Sequence, residues 1–239
     1  MDPAAEGYRG LWRRRLLRDA HGEDRDSQVW WLQGAGYYVD LRQPPDRPDF
    51  SGVTGFDQCN DEQLAWLARQ QGFAGQLVID GNRLHWQRSI DLQPPAALAD
   101  IGEVRWDGEC LHERGVLADY AEEWLWERPT TPTSGVWVTP DGRGLRVVMG
   151  EWFMQAVDLR QPLRAGTRLN ELLQTREHAS AALFDCAIDF GLGQGADQPW
   201  QVLHSNLPWR EDHSLMELNG APGAWRLPLR MAPENADQR

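Results

Sequence analysis

The hexapeptide Val39-Asp40-Leu41-Arg42-Gln43-Pro44 returns unchanged as Val157-Asp158-Leu159-Arg160-Gln161-Pro162, 118 residues further along a chain of 239. Identity over six mixed residues is not expected by chance in so short a chain, and a spacing near half its length makes each copy the size of a small domain. A softer repeat, Leu11-Trp12-Arg13-Arg14 against Leu125-Trp126-Glu127-Arg128, has an offset of 114. The chain therefore reads as an internal duplication, with one domain over residues 1–122, a second over 123–231, and a tail, 232–239, expected to be disordered.

Each half reads as a run of short antiparallel strands around one helix. Gln28 to Gln33 and Tyr37 to Arg42 flank Gly34-Ala35-Gly36 as a hairpin. Their counterparts are Val136 to Thr139 and Leu145 to Met149, the latter running on past Gly150 to Arg160 with the glycine as a bulge or bend. The clearest helix covers Asp61 to Gln71, with Asn60 as N-cap, Gln63 closing a capping box and Gly72 as the stop; a second covers Arg168 to Thr175. Phe73–Ile79, Arg83–Ile90, Ile101–Trp106 and Glu109–Glu113 continue the first half as strands, and Ala181–Phe190, Trp200–His204, Ser214–Leu218 and Ala224–Leu229 complete the second. The expected fold class is mainly β, two tandem antiparallel barrels with a short helix in each.

Composition removes several function classes. The net charge is −12, so a nucleic acid would be repelled by the average surface. The basic cluster Arg9, Arg13, Arg14, Arg15 and Arg18 lies among Leu11, Trp12, Leu16 and Leu17 and is read as arginines covering an apolar first strand. All 24 cationic residues are arginine, which excludes Schiff-base chemistry and a phosphate-loop lysine. The three cysteines, Cys59, Cys110 and Cys186, have no metal or redox spacing, and no cofactor or metal is expected. No run approaches the ~20 apolar residues of a membrane span, and Arg13 to Arg15 interrupt any secretory leader; a cytoplasmic setting is expected.

The motif order resembles the fungal kinase-interacting proteins built of two tandem lipocalin-like β-barrels, and their bacterial relatives. Phe73-Ala74-Gly75, the Trp86 strand, Gly102-Glu103-Val104, Gly108-Glu109-Cys110, Glu113-Arg114-Gly115, Glu123-Trp124-Leu125-Trp126 and Gly150-Glu151-Trp152 carry the likeness, over roughly residues 70 to 160. The resemblance implies two small barrels with interiors suited to apolar ligands. It implies no catalytic residues.

Thirteen tryptophans are the strongest functional pointer, since an indole is costly to bury unless its N–H finds a partner. They either plug cores or line a ligand pocket. On the Arg83–Ile90 strand, alternation puts Leu84, Trp86, Arg88 and Ile90 on one face. There Arg88 could hold a ligand carboxylate with Glu113 or Tyr120 at the rim, or make a structural ion pair with a neighbouring strand. The Asp40/Arg42 and Asp158/Arg160 pairs, present twice, read as structural.

The primary expectation is a protein that binds a small apolar or aromatic molecule, with Trp31, Gln33, Tyr38, Arg42, Trp86, Arg88 and Tyr120 as lining residues. A second reading is a cofactor-independent oxygenase or isomerase acting on an aromatic substrate, with His85 or His204 as base and Glu113 among the groups that would orient it. A third is a structural module that docks a protein partner or a second copy of the chain.

Overall fold

The computed structural model describes residues 7–175, 180–193, 200–215 and 230–231. In the first half, β1 (Gly10–Asp19), β2 (Gly22–Asp24), β3 (Gln28–Gln33) and β4 (Tyr37–Gln43) precede helix α1 (Asp61–Arg69). Then come β5 (Gln71–Asp80), β6 (Arg83–Asp91), β7 (Asp100–Asp107), β8 (Cys110–Gly115) and β9 (Ala121–Glu127). Every neighbour is antiparallel, and β9 pairs back onto β1 from Leu11↔Glu127 to Arg18↔Ala121, which closes an eight-stranded barrel of β1 and β3–β9. β2 extends β1 as a short hairpin outside the closed ring. The boundary expected between residues 122 and 123 falls inside β9, the strand that completes the closure.

The second half contributes β10 (Ser134–Val138), β11 (Gly144–Met149), β12 (Trp152–Asp158), helices α2 (Leu169–Thr175) and α3 (Ser180–Leu183), β13 (Cys186–Leu192), β14 (Gln201–Ser205) and β15 (Arg230–Met231). They form one antiparallel sheet in the order β14-β13-β12-β11-β10-β15. Among the described residues this sheet is not closed on itself. Residues 216–218 of one expected strand, the whole of Ala224–Leu229 and the tail lie outside the described residues.

Three local expectations are corrected. Gly150 is no bulge: with φ +60° it sits in a tight turn, and Met149↔Trp152 makes β11 and β12 separate hairpin strands. The helix ends at Arg69, because Gln70 is already extended, and Gly72 lies in β5 rather than stopping the helix. A Cβ on Gly72 would come within 2.7 Å of Ile188 and 2.9 Å of the Asp40 carbonyl, so its smallness serves strand packing. The Ala181–Phe190 segment begins as helix α3, and its strand starts only at Cys186. The capping box itself is present in full, Asn60 Oδ1 accepting from Gln63 N at 2.9 Å and Gln63 Oε1 from Asn60 N at 2.8 Å.

Three apolar clusters result among the described residues, a small one around Phe153 and Val202 and two layers that frame the barrel. One fills the barrel: Trp12, Val29, Trp31, Tyr38, Phe73, Leu77, Leu84, Trp86, Val104, Leu111 and Trp124. The other lies between the barrel's outer wall and the second sheet, joining Trp30, Leu32, Val39, Leu41, Ala74 and Ile90 to Val147, Met149, Met154, Ile188 and Phe190. Strands β3 and β4 are thus buried on both faces, which is why Val29-Trp30-Trp31-Leu32 and Tyr37-Tyr38-Val39 read as unbroken apolar runs. His204, half-buried, packs onto the edge of the second layer by stacking on Trp30 and Phe190, with ring centroids 4.2 and 6.1 Å away, and burial pulls its pKa down.

Candidate functional site

Antiparallel pairing gives the barrel two unlike ends. At the end where β1 starts, Trp12 stacks on Trp31 (5.1 Å, 17°) and on Trp126 (5.8 Å, 10°), and Trp31 meets Trp124 edge-on. The Trp12 and Trp126 indoles donate to the carbonyls of Tyr8 and Arg9. The Trp31 indole donates to Gln33 Oε1 at 3.1 Å, while Gln33 Nε2 donates to the carbonyls of Gly34 and Tyr37. Trp31 and Gln33 are therefore part of an aromatic plug and its hairpin brace, and neither borders the cavity at the other end of the barrel. An eight-stranded barrel is just wide enough for such filling or for one small ligand.

At the opposite end β1, β4, β6 and β8 finish, and β3, β5, β7 and β9 begin. A cavity of about 350 Å³ opens there, bordered by Trp86 and Tyr120 and by a dense set of charges. Alternation along each strand delivers them. Arg14 follows Trp12 into the interior, Arg42 follows Tyr38 and Asp40, Arg88 follows Trp86, and Glu122 precedes Trp124. A bulge between Ala74 and Gly75 then turns Ile90 to the outer face, so Ile90 does not share the inward face expected for it.

The charges bind one another. Arg14 donates to Asp24 (2.7 Å) and Glu122 (2.9 Å); Arg42 to Asp40 (2.9 Å) and Glu122 (3.2 Å); Arg88 to Asp91 (2.8 Å) and Asp100 (2.6 Å). The Arg88 guanidinium also lies 3.6 Å over the Phe73 ring, with that of Arg42 at 4.8 Å from the same ring. Both terminal nitrogens of Arg88 are thus committed to carboxylates of its own fold, which matches the ion-pair alternative for this residue rather than a waiting anchor for a ligand carboxylate. Burial pushes Asp40 up to about 6 even though Arg42 opposes the shift.

Glu113 is different. Its side chain is buried with no guanidinium on it: Oε1 accepts from the Tyr120 hydroxyl at 2.7 Å and Oε2 from the Trp124 indole at 3.0 Å. Directly across the strands stands Glu122, also buried. Burial first and the Glu122 carboxylate second push Glu113 well above the usual carboxylate range, favouring its neutral form. Gly102 on β7 makes room for it, since a Cβ there would lie 2.7 Å from Glu113 Cγ. Tyr38, wholly buried, points its hydroxyl among Arg88, Asp100, Asp40 and Asp91, and among the described residues that hydroxyl has no hydrogen-bond partner.

The mouth therefore brings together Arg42, Trp86, Arg88, Glu113 and Tyr120 from the expected set, with Tyr38 in the barrel core behind Arg88 and Asp100. Sequence reasoning missed Arg14, Asp24, Asp100 and Glu122. Arg13, Arg15 and Arg18 do cover the first strand, pairing with Glu127, Glu123 and Glu23, but Arg14 points inward with a side chain only 5% exposed. Its spacing of two from Trp12 was the available signal. His85 faces the other way, into a groove of about 660 Å³ between β6 and the loops at Asp141–Arg143 and Arg160–Leu163. It cannot act as the partner of Glu113. Among the described residues no three carboxylates, imidazoles or thiols could together hold a metal ion, and no helix is long and apolar enough to cross a membrane.

The fold as a whole is similar to the crystal structure of an uncharacterised protein, YLR301w, from Saccharomyces cerevisiae. The two superpose with a TM-score of 0.58 over 95% of this chain and 98% of that one, at 14% sequence identity, a likeness of fold alone. No protein-family model and no curated protein matches the chain.

Proposed function

We propose that this is a tandem lipocalin-like protein whose first barrel binds a small, flat molecule at its mouth. The observation that carries this reading is the cavity of about 350 Å³, closed below by the tryptophan plug and walled by Trp86, Tyr120 and the ion network. That is the lower range of a small-molecule site. The eight-stranded closure and the aromatic interior support the lipocalin-like assignment.

The duplication is supported by a repeated detail. Arg42 Nε donates to Asp40 Oδ1 at 2.9 Å, and Arg160 Nε donates to Asp158 Oδ1 at 2.9 Å, each at the end of a hairpin strand. The two arginines then diverge. Arg42 turns to the mouth, whereas Arg160 ties the second half to the first by donating to the carbonyls of Asp91 and Leu92 at 2.6 and 2.7 Å. Three free thiols, two of them buried, fit a reducing cytoplasmic setting.

The test is a titration of intrinsic fluorescence with a panel of aromatic amines, aromatic acids and indoles, paired with thermal melts. A ligand of this site quenches or shifts emission, and at a hundredfold excess over Kd it stabilises the fold by about 2.7 kcal/mol. Trp86→Ala is expected to weaken that ligand by about tenfold or more. If every member of the panel leaves emission and melting temperature unchanged, the reading fails.

A further inference from the structure

We infer that the molecule held at the barrel mouth is an organic cation, an ammonium or amidinium on a small flat ring, with Glu113 as its counter-ion; this rests on the mouth being a binding site. The argument begins with how the fixed charges are shared. Three guanidiniums, of Arg14, Arg42 and Arg88, serve five carboxylates: Asp24, Glu122, Asp40, Asp91 and Asp100. Glu113 is a sixth carboxyl that none of them reaches, placed directly across the strands from Glu122. Asp19 and Arg69, one charge of each sign, also line the rim and leave this count unchanged. The interior is therefore short of positive charge, and the shortfall is greatest at Glu113.

A second observation points to a ligand at the same place. The Tyr38 hydroxyl is wholly buried and among the described residues has no hydrogen-bond partner, a costly arrangement, and its charged neighbours Arg88 and Asp100 are themselves part of the cavity wall. An ammonium or amidinium has several N–H donors and no acceptor. It can pair with Glu113 while Trp86 and Tyr120, on the same cavity wall, flank its ring. Among the described residues the carboxylates do not converge on a metal site, so a bare metal ion does not fit the arrangement.

Binding then carries a defined proton change. Burial and the Glu122 carboxylate favour the neutral form of Glu113 in the free protein, so pairing with the cation sends its proton to solvent, and the new charge pair replaces the neutral carboxyl. The groups that face Glu113 are Glu122 and Tyr120 from β9 and the loop before it, Asp100 from β7 and Arg42 from β4. Of these, Arg42 stays charged throughout and Tyr120 stays neutral, since burial raises its pKa further.

The experiment compares three probes of nearly one shape, benzamidine, benzamide and benzoate, by calorimetry on the full chain. Benzamidine is expected to bind about tenfold or more tighter than the other two, as a charge-assisted pair requires. Its affinity rises with pH, with net proton release, and Glu113→Gln removes both the preference and the proton release. The pH profile of the unaltered protein stands alone if that variant does not fold. Equal affinity for the three, tighter benzoate, or no benzamidine binding overturns the inference. The broader panel of aromatic ligands decides separately whether the mouth binds anything, so the two failures are distinguishable.

Discussion

Replacing Asp189 by alanine lowers the free energy of unfolding by roughly 3–5 kcal/mol at pH 7, because it removes the counter-ion of the largely buried Arg210 guanidinium and the acceptor of Gln155 and Ser205. Asp189 on β13 is wholly buried and accepts from Arg210 Nε (2.9 Å) and Nη2 (2.8 Å), Gln155 Nε2 (2.7 Å) and Ser205 Oγ (2.7 Å). Four donors converge on one carboxylate and fasten β12, β13, β14 and the turn Pro208–Arg210. Asp189→Asn retains part of this geometry and costs less. Burial alone would raise the Asp189 pKa, but Arg210, Gln155 and Ser205 more than reverse this and hold it below its usual 3.8. A group shifted downward stabilises the fold above its unfolded pKa, so the contribution is complete above about pH 4 and is lost as pH falls through the folded value. Urea unfolding at pH 7 measures the alanine effect. A change below about 1 kcal/mol would show that the carboxylate is not buried in this network.

Arg42→Met is the second large effect, and it has the opposite pH dependence. Methionine keeps much of the stem's packing over Phe73 but leaves Asp40 without its guanidinium and Glu122 with Arg14 alone. The expected loss is roughly 3–5 kcal/mol at pH 7. Asp40 already titrates at about 6, above its unfolded 3.8. Between those values the native state holds a proton that the unfolded chain lacks, so this group makes stability rise as pH falls from 7 to 5. Without Arg42 the native pKa moves higher still, and the rise is steeper. The gap between variant and parent therefore narrows at pH 5, and Asp40→Asn introduced alongside Arg42→Met recovers part of the loss. A gap that stays constant from pH 7 to pH 5 would remove Asp40 from the explanation.

Both effects depend on which strand faces look inward, and that is where sequence legibility stops. Turn glycines, the Asn60–Gln63 capping box and the strands of the first half were readable from local chemistry, because each uses a residue type with a specific backbone or capping role. The face of Gln28–Gln33 was not. With Trp31 in the barrel and Trp30 against the second sheet, both sides are apolar and the period-two signal vanishes. Trp86 and Arg88 were correctly placed on one face, but the bulge opposite Gly75 moved Ile90 off it, and nothing in Gln87-Arg88-Ser89-Ile90 marks such a shift. Glu122 and Asp100 escaped notice because a lone acid beside a turn ordinarily faces water. Only the closure of β9 onto β1, a contact more than a hundred residues apart in sequence, puts Glu122 within reach of Arg14.

The wall shared by the two halves has an evolutionary consequence. Trp30, Leu32, Val39 and Leu41 lie under the second sheet, and Arg160 spends its donors on carbonyls of the first half. A chain cut between the halves would bare that wall as a sticky apolar face. If the chain arose by copying, the copying is irreversible: neither descendant can be discarded, and a mutation in one is selected through its effect on the other. Heredity treats the pair as a single character.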